Sequence, residues 1–500
     1  MKLHPLSVPY RTGSAVARFA WVLVIGTVST SQLDGFGALA AGALVVALLG
    51  VLAYQVAYVR RFDYELTDDT FDLASGVVSR RTREIPYRRV QNVDVSRNVV
   101  QRALGLAEVR IETAGGGETE AQLRYVSHDE AERLQREIGR RKRGDGETAT
   151  DPDGTAPPVE DAGERLFAVT NRELLLLGVV QVDLRLLSFV TVLLPVVLPS
   201  VSQSFPLLDL LRAAPFVLAG LVAVAVVVSS VAAVTAYYGF ELRRAEGELR
   251  YRRGLLQEYS GTIPLDKVQS VSLTENVIAR RLGYAAVEVE TAGYAPGAGD
   301  GSGSQSAVPL ADRERALSLA REVEPFGEVE FERPPKRART RYVVRYALVV
   351  AFLTAVSLAV VRFTGVTPPV PPYSPLALLV VVPVAAHLKW ANLGYALGED
   401  HFVAREGFWT RRTRVVPYYR VQTLVGSATV FQRRRHLATL VVDTAGSQGF
   451  GATDARALDI DADRADRLRE EVEARFRTSL AETRTARRNR RSGRDAAAAD

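Results

Sequence analysis

The sequence has 500 residues, 24% of them charged, and a net charge of +6. This length exceeds what one hydrophobic core serves and predicts about three to four domains. The absence of cysteine excludes disulfides, zinc–thiolate sites and thiol nucleophiles. The charge is too modest for a dedicated nucleic-acid binder, so we expect no nucleic-acid partner. A mean hydropathy just above zero indicates long apolar runs that alternate with charged domains.

Six apolar runs come close to or reach the length needed to cross a bilayer, about 18 residues. They form three pairs, which are assigned to the regions 15–58, 170–237 and 342–394. The individual spans are predicted at 15–31, 36–58, 186–201, 213–237, 346–361 and 375–394.

The third span carries charged residues at its start. A charge at the bilayer centre is costly, so the span is placed after Arg185. Residues 171–182 are then predicted to form an interfacial helix with Thr170 and Glu173 as its capping box. The alternative is that Asp183 and Arg185 form an ion pair inside the helix bundle.

Orientation follows from the basic residues that flank the spans. The three loops within the pairs carry only Arg212 and Arg362, whereas arginine clusters flank the large polar segments. Since positive charge is retained inside, we predict a multi-pass plasma-membrane protein whose termini and polar segments are cytoplasmic.

One short phrase occurs three times: "EIPYRRVQNVDV" from Glu84, "TIPLDKVQSVSL" from Thr262 and "VVPYYRVQTLVG" from Val415. Each copy is followed by "ETAG", "ETAG" or "DTAG", and the distance from proline to threonine is 27 residues every time. Strand register does not tolerate insertion, so this fixed distance predicts core strands. The repeated structural positions are Pro86, Gln91, Thr113, Gly115, Pro264, Gln269, Thr291, Gly293, Pro417, Gln422, Thr444 and Gly446.

The three repeats are predicted at 61–142, 238–325 and 394–476. Each contains alternating strands with a glycine-containing turn, and each ends in a charged helix that begins near Asp129, Asp312 or Asp461. Residues 143–164 are acidic and rich in Pro and Gly, and they predict a disordered linker. Residues 477–500 predict a basic disordered tail.

Paired spans followed by these phrases resemble the bacterial pleckstrin-homology-like (PH-like) domain of the membrane-flanked type. The whole chain is similar to the three-copy, six-span proteins of that family. The third copy departs most, with Val416 in place of Ile and His436–Leu437 in place of Leu–Gly. The resemblance implies that each copy is a partly open, seven-stranded antiparallel β-barrel closed by a C-terminal helix. It implies no enzymatic activity and no agreed ligand.

The residues themselves give little sign of catalysis. The five histidines show no metal-ligand spacing, and no nucleophile or phosphate-loop motif is present, so we expect no enzyme, no metal and no cofactor. An acid recurs at Glu112, Glu290 and Asp443. It is interpreted as a cross-strand partner of Arg89, Lys267 or Arg420 rather than as a shared site. The three motif glutamines are interpreted as buried amides.

Three functions remain open from the sequence. The favoured one is a membrane-tethered scaffold or assembly module for envelope maintenance or stress resistance, because the copies share core residues rather than a polar constellation. Its expected partners are membrane lipids and either a second copy or a neighbouring membrane protein. The alternative is a sensor of anionic lipid headgroups through Arg88, Arg89, Lys267 and Arg420. A transporter component is disfavoured, because ionisable residues are nearly absent from the spans.

Overall fold

The computed structural model describes residues 1–14, 37–113, 121–143, 163–181, 207–245, 247–291, 306–364, 371–445 and 454–497. The chain divides into two compact units. The first comprises Met1–Arg165 and Gly239–Pro264, and the second comprises Leu166–Tyr238 and Leu265–Asp500. Because the boundary at Pro264 falls inside the second repeat, each unit contains strands from two repeats.

The described elements are mostly short strands. The strands are β1 (Asp63–Leu66), β2 (Thr70–Ser75), β3 (Arg81–Pro86), β4 (Val90–Asn98), β5 (Leu106–Thr113), β6 (Ala121–Ser127), β7 (Glu164–Ala168), β8 (Glu241–Ala245), β9 (Glu248–Arg253), β10 (Gln257–Pro264), β11 (Val268–Asn276), β12 (Tyr284–Thr291), β13 (Ser306–Asp312), β14 (Gly394–Leu397), β15 (His401–Glu406), β16 (Thr410–Pro417), β17 (Val421–Ser427), β18 (Leu437–Thr444) and β19 (Ala455–Asp461). The helices are α1 (Gly37–Arg60), α2 (Val99–Ala103), α3 (His128–Arg143), α4 (Asn171–Val180), α5 (Leu207–Tyr237), α6 (Val277–Leu282), α7 (Arg313–Val323), α8 (Arg337–Thr364), α9 (Val382–Ala391), α10 (Val430–Arg433) and α11 (Ala462–Ala497).

All three repeats follow the same element order. Three strands lead into a single 3₁₀ turn, and a fourth strand, a short helix, two more strands and a closing helix follow. The repeats are β1–β6, β8–β13 and β14–β19, closed by α3, α7 and α11. The resemblance implied seven strands per copy, but the described residues of each copy contain six.

Three equivalent glycines make the predicted turns between the second and third strands of each repeat. Gly76, Gly254 and Gly407 have φ angles of +114°, +107° and +91°. A Cβ atom at any of them would collide with the carbonyl oxygen three residues later. The turn therefore requires glycine at this position, which confirms the sequence prediction of a glycine-containing turn.

The core of the first repeat joins its two three-stranded halves to the closing helix. Phe71 and Ile85 from the first half and Leu123 from the second half belong to one buried cluster. Helix α3 adds Leu134 and Ile138, which lie four residues apart on its apolar face. The closing helix thus fills the open end of the strands, as the sequence predicted.

The third repeat has the same core, and its closing helix is longer than expected. Leu468 and Val472 of α11 are buried with Tyr418 and Leu440. Residues 477–497 continue this helix, so the prediction of a disordered tail at 477–500 is wrong for the described part. This segment is rich in Arg and Ala, which are strong helix formers, and no proline interrupts it.

Two described helices are long and apolar enough to cross a membrane, Ala219–Tyr237 within α5 and Arg337–Phe363 within α8. A third candidate is the 3₁₀ segment Ser374–Val380 with α9, which are bent by 47° at their junction. Helix α1 covers the predicted second span. The predicted spans at 15–31 and 186–201, with Asp183 and Arg185, lie outside the described residues, so the count of six stays a prediction.

The predicted capping box at the start of α4 is present. Thr170 Oγ1 accepts a hydrogen bond from the Glu173 backbone N–H at 3.3 Å, and Glu173 accepts one from the Thr170 N–H at 2.8 Å. The helix packs against α5, where Ser230 Oγ donates to the Gly178 carbonyl at 2.8 Å. Of the acidic linker, 144–162 lies outside the described residues, and β7 begins at Glu164, the linker's predicted last residue.

Candidate functional site

The repeated phrase lies where the third strand of each copy passes into the fourth. Pro86, Pro264 and Pro417 end β3, β10 and β16, and each is followed by a 3₁₀ turn. Thr113, Thr291 and Thr444 end β5, β12 and β18 and are buried. The register pairs them with Val90, Val268 and Val421 at the start of the fourth strand. The constant distance from proline to threonine therefore reflects the pairing of the fourth strand with the fifth, which has the same register in all three copies. Gly115, Gly293 and Gly446 lie outside the described residues.

The motif glutamines differ between copies. Gln269 is buried, and its Nε2 donates to the Lys267 carbonyl at 3.1 Å. Gln422 is exposed, so the prediction of a buried amide is wrong there. The physical reason is that strand β17, which carries Gln422, has a neighbour on one side only. Nothing is described of the Gln91 side chain.

The four candidate lipid-binding residues lie on the 3₁₀ turns. Arg88 and Arg89 belong to the first unit and are exposed, and Lys267 and Arg420 belong to the second. Arg420 Nη2 donates to the Asp266 carbonyl at 2.6 Å, and Lys267 Nζ lies 3.8 Å from the Asp266 carboxylate. Lys267 and Arg420 come from different copies and meet at Asp266, whereas Arg88 and Arg89 are neighbours on one turn of the other unit.

The recurring acid does not face the motif's basic residue. The register places Glu112, Glu290 and Asp443 opposite Asn92, Ser270 and Thr423, and Ser270 Oγ donates to Glu290 at 2.7 Å. The predicted cross-strand partners Arg89, Lys267 and Arg420 are therefore wrong as backbone-register neighbours. A bulge between the first and third residues of each fourth strand shifts the pairing beyond the turn that carries them.

Consecutive repeats are joined through their strand edges. In the first unit, β4 of the first copy pairs antiparallel with β10 of the second, and we call this pairing the first seam. In the second unit, β11 of the second copy pairs antiparallel with β16 of the third, which we call the second seam. The fourth strand of one copy therefore always meets the third strand of the next, and a continuous sheet runs across each boundary.

The two seams have the same register. Arg97 lies opposite Glu258 in the first seam, and Glu275 lies opposite Arg411 in the second. In both pairs the first residue lies eleven positions after its copy's motif proline, and the second lies six positions before the next copy's proline. Two independent strand pairs with one register show that the pairing is a property of the repeat.

A glutamate clamped by two arginines lies one residue pair from the end of each seam. Glu258 is 2.6 Å from Arg97 and 2.8 Å from Arg102. Burial alone would raise the pKa of Glu258, but the hydrogen bonds from both arginines bring it below its ordinary value. In the second seam, Glu275 is 2.7 Å from Arg411 and 3.1 Å from Arg313. The Glu275 side chain is 3% exposed and that of Arg411 is 18% exposed, so the ion pair between them is largely withdrawn from solvent.

A further contact recurs at both seams. Arg102 donates to the Leu255 carbonyl at 3.3 Å, and Arg280 donates to the Phe408 carbonyl at 3.4 Å. The two arginines hold the same position in their copies, on the short helix after the fourth strand, and the two carbonyls also correspond. Each seam is thus fixed by the strand ladder and by an arginine that reaches across to the neighbour's turn.

Two strands that correspond to the seam strands have no neighbour on the seam side among the described residues. They are β3 of the first copy and β17 of the third. Arg81 to Glu84 on β3 are exposed, as are Gln422, Thr423, Gly426 and Ser427 on β17. At β3 the carbonyl that would face a neighbour, Val77, accepts instead from Arg61 of its own copy at 2.8 Å.

Comparison with known proteins identifies the repeats. The model of the bacterial PH domain matches residues 20–142, 184–326 and 345–476, which is most of the chain. The chain belongs to the bacterial PH domain family. It is also 25% identical over 472 residues to the "UPF0699 transmembrane protein YdbT" of Bacillus subtilis (strain 168), covering 88% of this chain and 91% of that protein. No solved structure matches.

Two acidic residues of the first copy, Asp94 and Glu112, are buried beside the first seam. Asp94 on β4 accepts a hydrogen bond from Asn92 Nδ2 at 2.8 Å and lies against Gly261 of β10. Burial raises the pKa of Asp94 to about 6, although Asn92 and Arg110 act in the opposite direction. Burial and the nearby Asp94 raise the pKa of Glu112 to about 8. Near neutral pH this carboxyl pair therefore retains a proton.

Sequence reasoning missed the residues that hold the PH copies together. The signal was available: the eleventh residue after the proline is Arg97, Glu275 or Ala428, and the sixth before it is Arg80, Glu258 or Arg411. Read across consecutive copies, these two positions give complementary charges at both seams. No cluster of His, Asp or Glu able to hold a metal ion occurs in the part of the chain that the structure describes, and the expectation of no metal stays a prediction.

Proposed function

We propose that this membrane protein is a non-enzymatic scaffold whose three PH copies form an edge-joined platform tethered to the bilayer. The observation that carries the proposal is the pair of seams with one register. Exposed strand edges recruit other strands, and a chain that uses the same two edges twice is built for linear assembly.

The charges at the seams support a fixed order of the copies. Both clamped glutamates, Glu258 and Glu275, belong to the middle copy, and the facing arginines belong to the outer copies. Pairing β4 directly with β16 would place Arg97 opposite Arg411. Closing the middle copy on itself would place Glu258 opposite Glu275. Like charges directly opposite are destabilising, so both alternatives are disfavoured.

The unpaired edges support a partner beyond the chain. Strands β3 and β17 occupy the positions that pair at the seams, so the partner we propose is a second copy or a neighbouring membrane protein that offers the matching strand. The arginine-rich flanks support a cytoplasmic location of the platform at the plasma membrane, in contact with membrane lipids. The process that we propose for the assembly is envelope maintenance or stress resistance.

The experiment that tests the proposal uses charge reversal at the second seam. Because the chain has no cysteine, Leu273→Cys with Thr413→Cys reports the seam as a disulfide between directly opposed residues. Arg411→Glu leaves buried Glu275 opposite a like charge, and we expect about 3–5 kcal/mol of seam stability to be lost, with the disulfide yield falling accordingly.

The matched control is the triple reversal Glu275→Arg with Arg411→Glu and Arg313→Glu, because Arg313 also pairs with Glu275. It restores complementary charges, and we expect most of the disulfide to return. If the cysteine pair forms no disulfide in native membranes even with Glu275 and Arg411 intact, the seam does not hold the copies together. The scaffold proposal then loses its support.

A further inference from the structure

The third PH copy borders a cleft beside a membrane-spanning helix. The cleft lies between the first turns of α8 and the short helix α10, and it encloses about 470 Å³. One end is lined by Arg341, Arg345 and Arg435. The other end is lined by apolar side chains, including Leu348, Phe352 and Phe431.

The polar end carries more positive charge than its neighbours balance. Arg341 forms an ion pair with Asp459, whose carboxylate also accepts from Gln432 at 2.7 Å. Arg435 donates to Thr340 Oγ1. Arg345 is exposed and has no acidic partner among the described residues. The three guanidinium groups therefore face one carboxylate, which favours a bound anion.

The apolar end consists of exposed side chains on or beside a helix that could span the membrane. Leu348, Phe352 and Phe431 are 58%, 67% and 60% exposed. Helix α8 is one of the two described helices long and apolar enough to cross a membrane. From Arg345 to Phe352 the helix rises only about 10 Å, so the lining changes from cationic to apolar within two turns. A soluble anion would use only half of this lining.

Arg435, at the cationic end, has no basic counterpart in the other two copies. Arg435 stands eighteen residues after its motif proline, where the first two copies have Leu104 and Leu282. The position of Phe431 is apolar in all copies, as Val100 or Ile278, and is exposed in each. An exposed apolar residue at this position is thus common to the repeats. Only the third copy has an arginine four residues after it.

We propose that this cleft binds one anionic phospholipid, with the phosphate between Arg341, Arg345 and Arg435 and an acyl chain along Leu348, Phe352 and Phe431. Arginine clusters beside a membrane-spanning helix are suited to lipid phosphates, and the exposed apolar residues supply the surface for the chain. The site is separate from the seams and from the motif's 3₁₀ turns. It would fix the third PH copy to the bilayer surface.

The test is binding of defined lipids to the full-length protein in detergent, followed by native mass spectrometry. The probes are phosphatidylglycerol, phosphatidylcholine and inorganic phosphate. We expect phosphatidylglycerol to be retained at one molecule per cleft and to be preferred at least ten-fold over phosphatidylcholine. The double variant Arg345→Gln with Arg435→Leu should weaken it by about ten- to thirty-fold.

Two matched variants separate the sources of binding. Arg339→Gln removes the same charge from the same end of α8 without touching the cleft lining, and it should leave phosphatidylglycerol binding unchanged. Phe431→Ser should weaken phosphatidylglycerol but not inorganic phosphate. Equal losses with Arg339→Gln would show a general surface-charge effect and overturn the site. Phosphate that binds as tightly as the lipid would assign the arginines to a soluble anion and overturn the lipid assignment.

Discussion

The carboxyl group of Glu112 is kept protonated by its surroundings. It lies on β5 near Asp94, where burial and that neighbouring acid raise its pKa to about 8 from 4.5. In the unfolded chain the same group ionises near its ordinary value. The folded state therefore binds a proton that the unfolded state has lost, and the stability of the first unit decreases as pH rises between these two values.

We predict that Glu112→Gln removes this dependence. The midpoint temperature of unfolding of the wild-type protein should decrease as the pH is raised from about 5 to about 8. The midpoint of the variant should depend less on pH. At pH 8 the variant should be more stable by about 1–3 kcal/mol, since Asp94 takes part in the same titration. Circular dichroism during thermal unfolding at each pH measures this. Glu84→Gln, which removes a charge from exposed β3, is the control, and parallel profiles for wild type and Glu112→Gln would contradict the prediction.

At the scale of the element, strand β10 depends on a glycine in its middle. A Cβ atom on Gly261 would meet the Asp94 carboxylate and lie 2.6 Å from Tyr251 Oη. The equivalent residues in the other copies are Arg83 and Arg414. The second seam accommodates this side chain, since Arg414 is buried and its Nε donates to Ser272 Oγ at 3.2 Å. The first seam instead uses the space for Tyr251 and the acidic pair.

We predict that Gly261→Ala opens the first seam. Overpacking in a closed site costs about 1–3 kcal/mol, and here the nearest atoms belong to a buried polar cluster that cannot retract freely. Hydrogen exchange of the amides of β4 and β10 should accelerate. The amides of β11 and β16, in the other unit, should keep their protection. Unchanged protection of β4 would show that the strand relaxes without losing the pairing.

On the scale of the whole molecule, the two uncovered edges define how chains would meet. In the register of the seams, Thr82 of β3 would lie opposite Gly426 of β17, and Arg80 would lie opposite Ala428. This pair lacks the glutamate that both seams contain. The arginines along β3 discourage promiscuous pairing, as charged edges do in other sheets.

We predict head-to-tail self-association through these edges, strengthened by Ala428→Glu. The new carboxylate would face Arg80, and an exposed pair of this kind changes a dimer Kd by about two- to five-fold. Thr82→Cys with Gly426→Cys should give a disulfide between chains, since a Cβ on Gly426 meets no atom within 4 Å. Mass photometry of the solubilised protein measures the association. Ala428→Lys is the control, and a disulfide confined to single chains would contradict the prediction.

Much of the architecture follows from repetition in the sequence. The glycine turns at Gly76, Gly254 and Gly407, the buried threonines and the closing helices were all predictable, because turn chemistry and strand register act locally and recur in each copy. The charged contacts of the seams were harder to predict from the sequence. Arg97 and Glu258 are far apart in the chain, and nothing local to either residue indicates the other.

The sequence by itself determined that there are three PH copies, that apolar helices precede them and that all copies share the same order of strands. Only the tertiary structure decided that the sheets continue from one copy into the next. The same exposed edges could in principle close within a copy, bind a neighbour or remain free. The choice depends on which charges and side chains meet across the edge, as the buried Gln269 and the exposed Gln422 show for one motif in two environments.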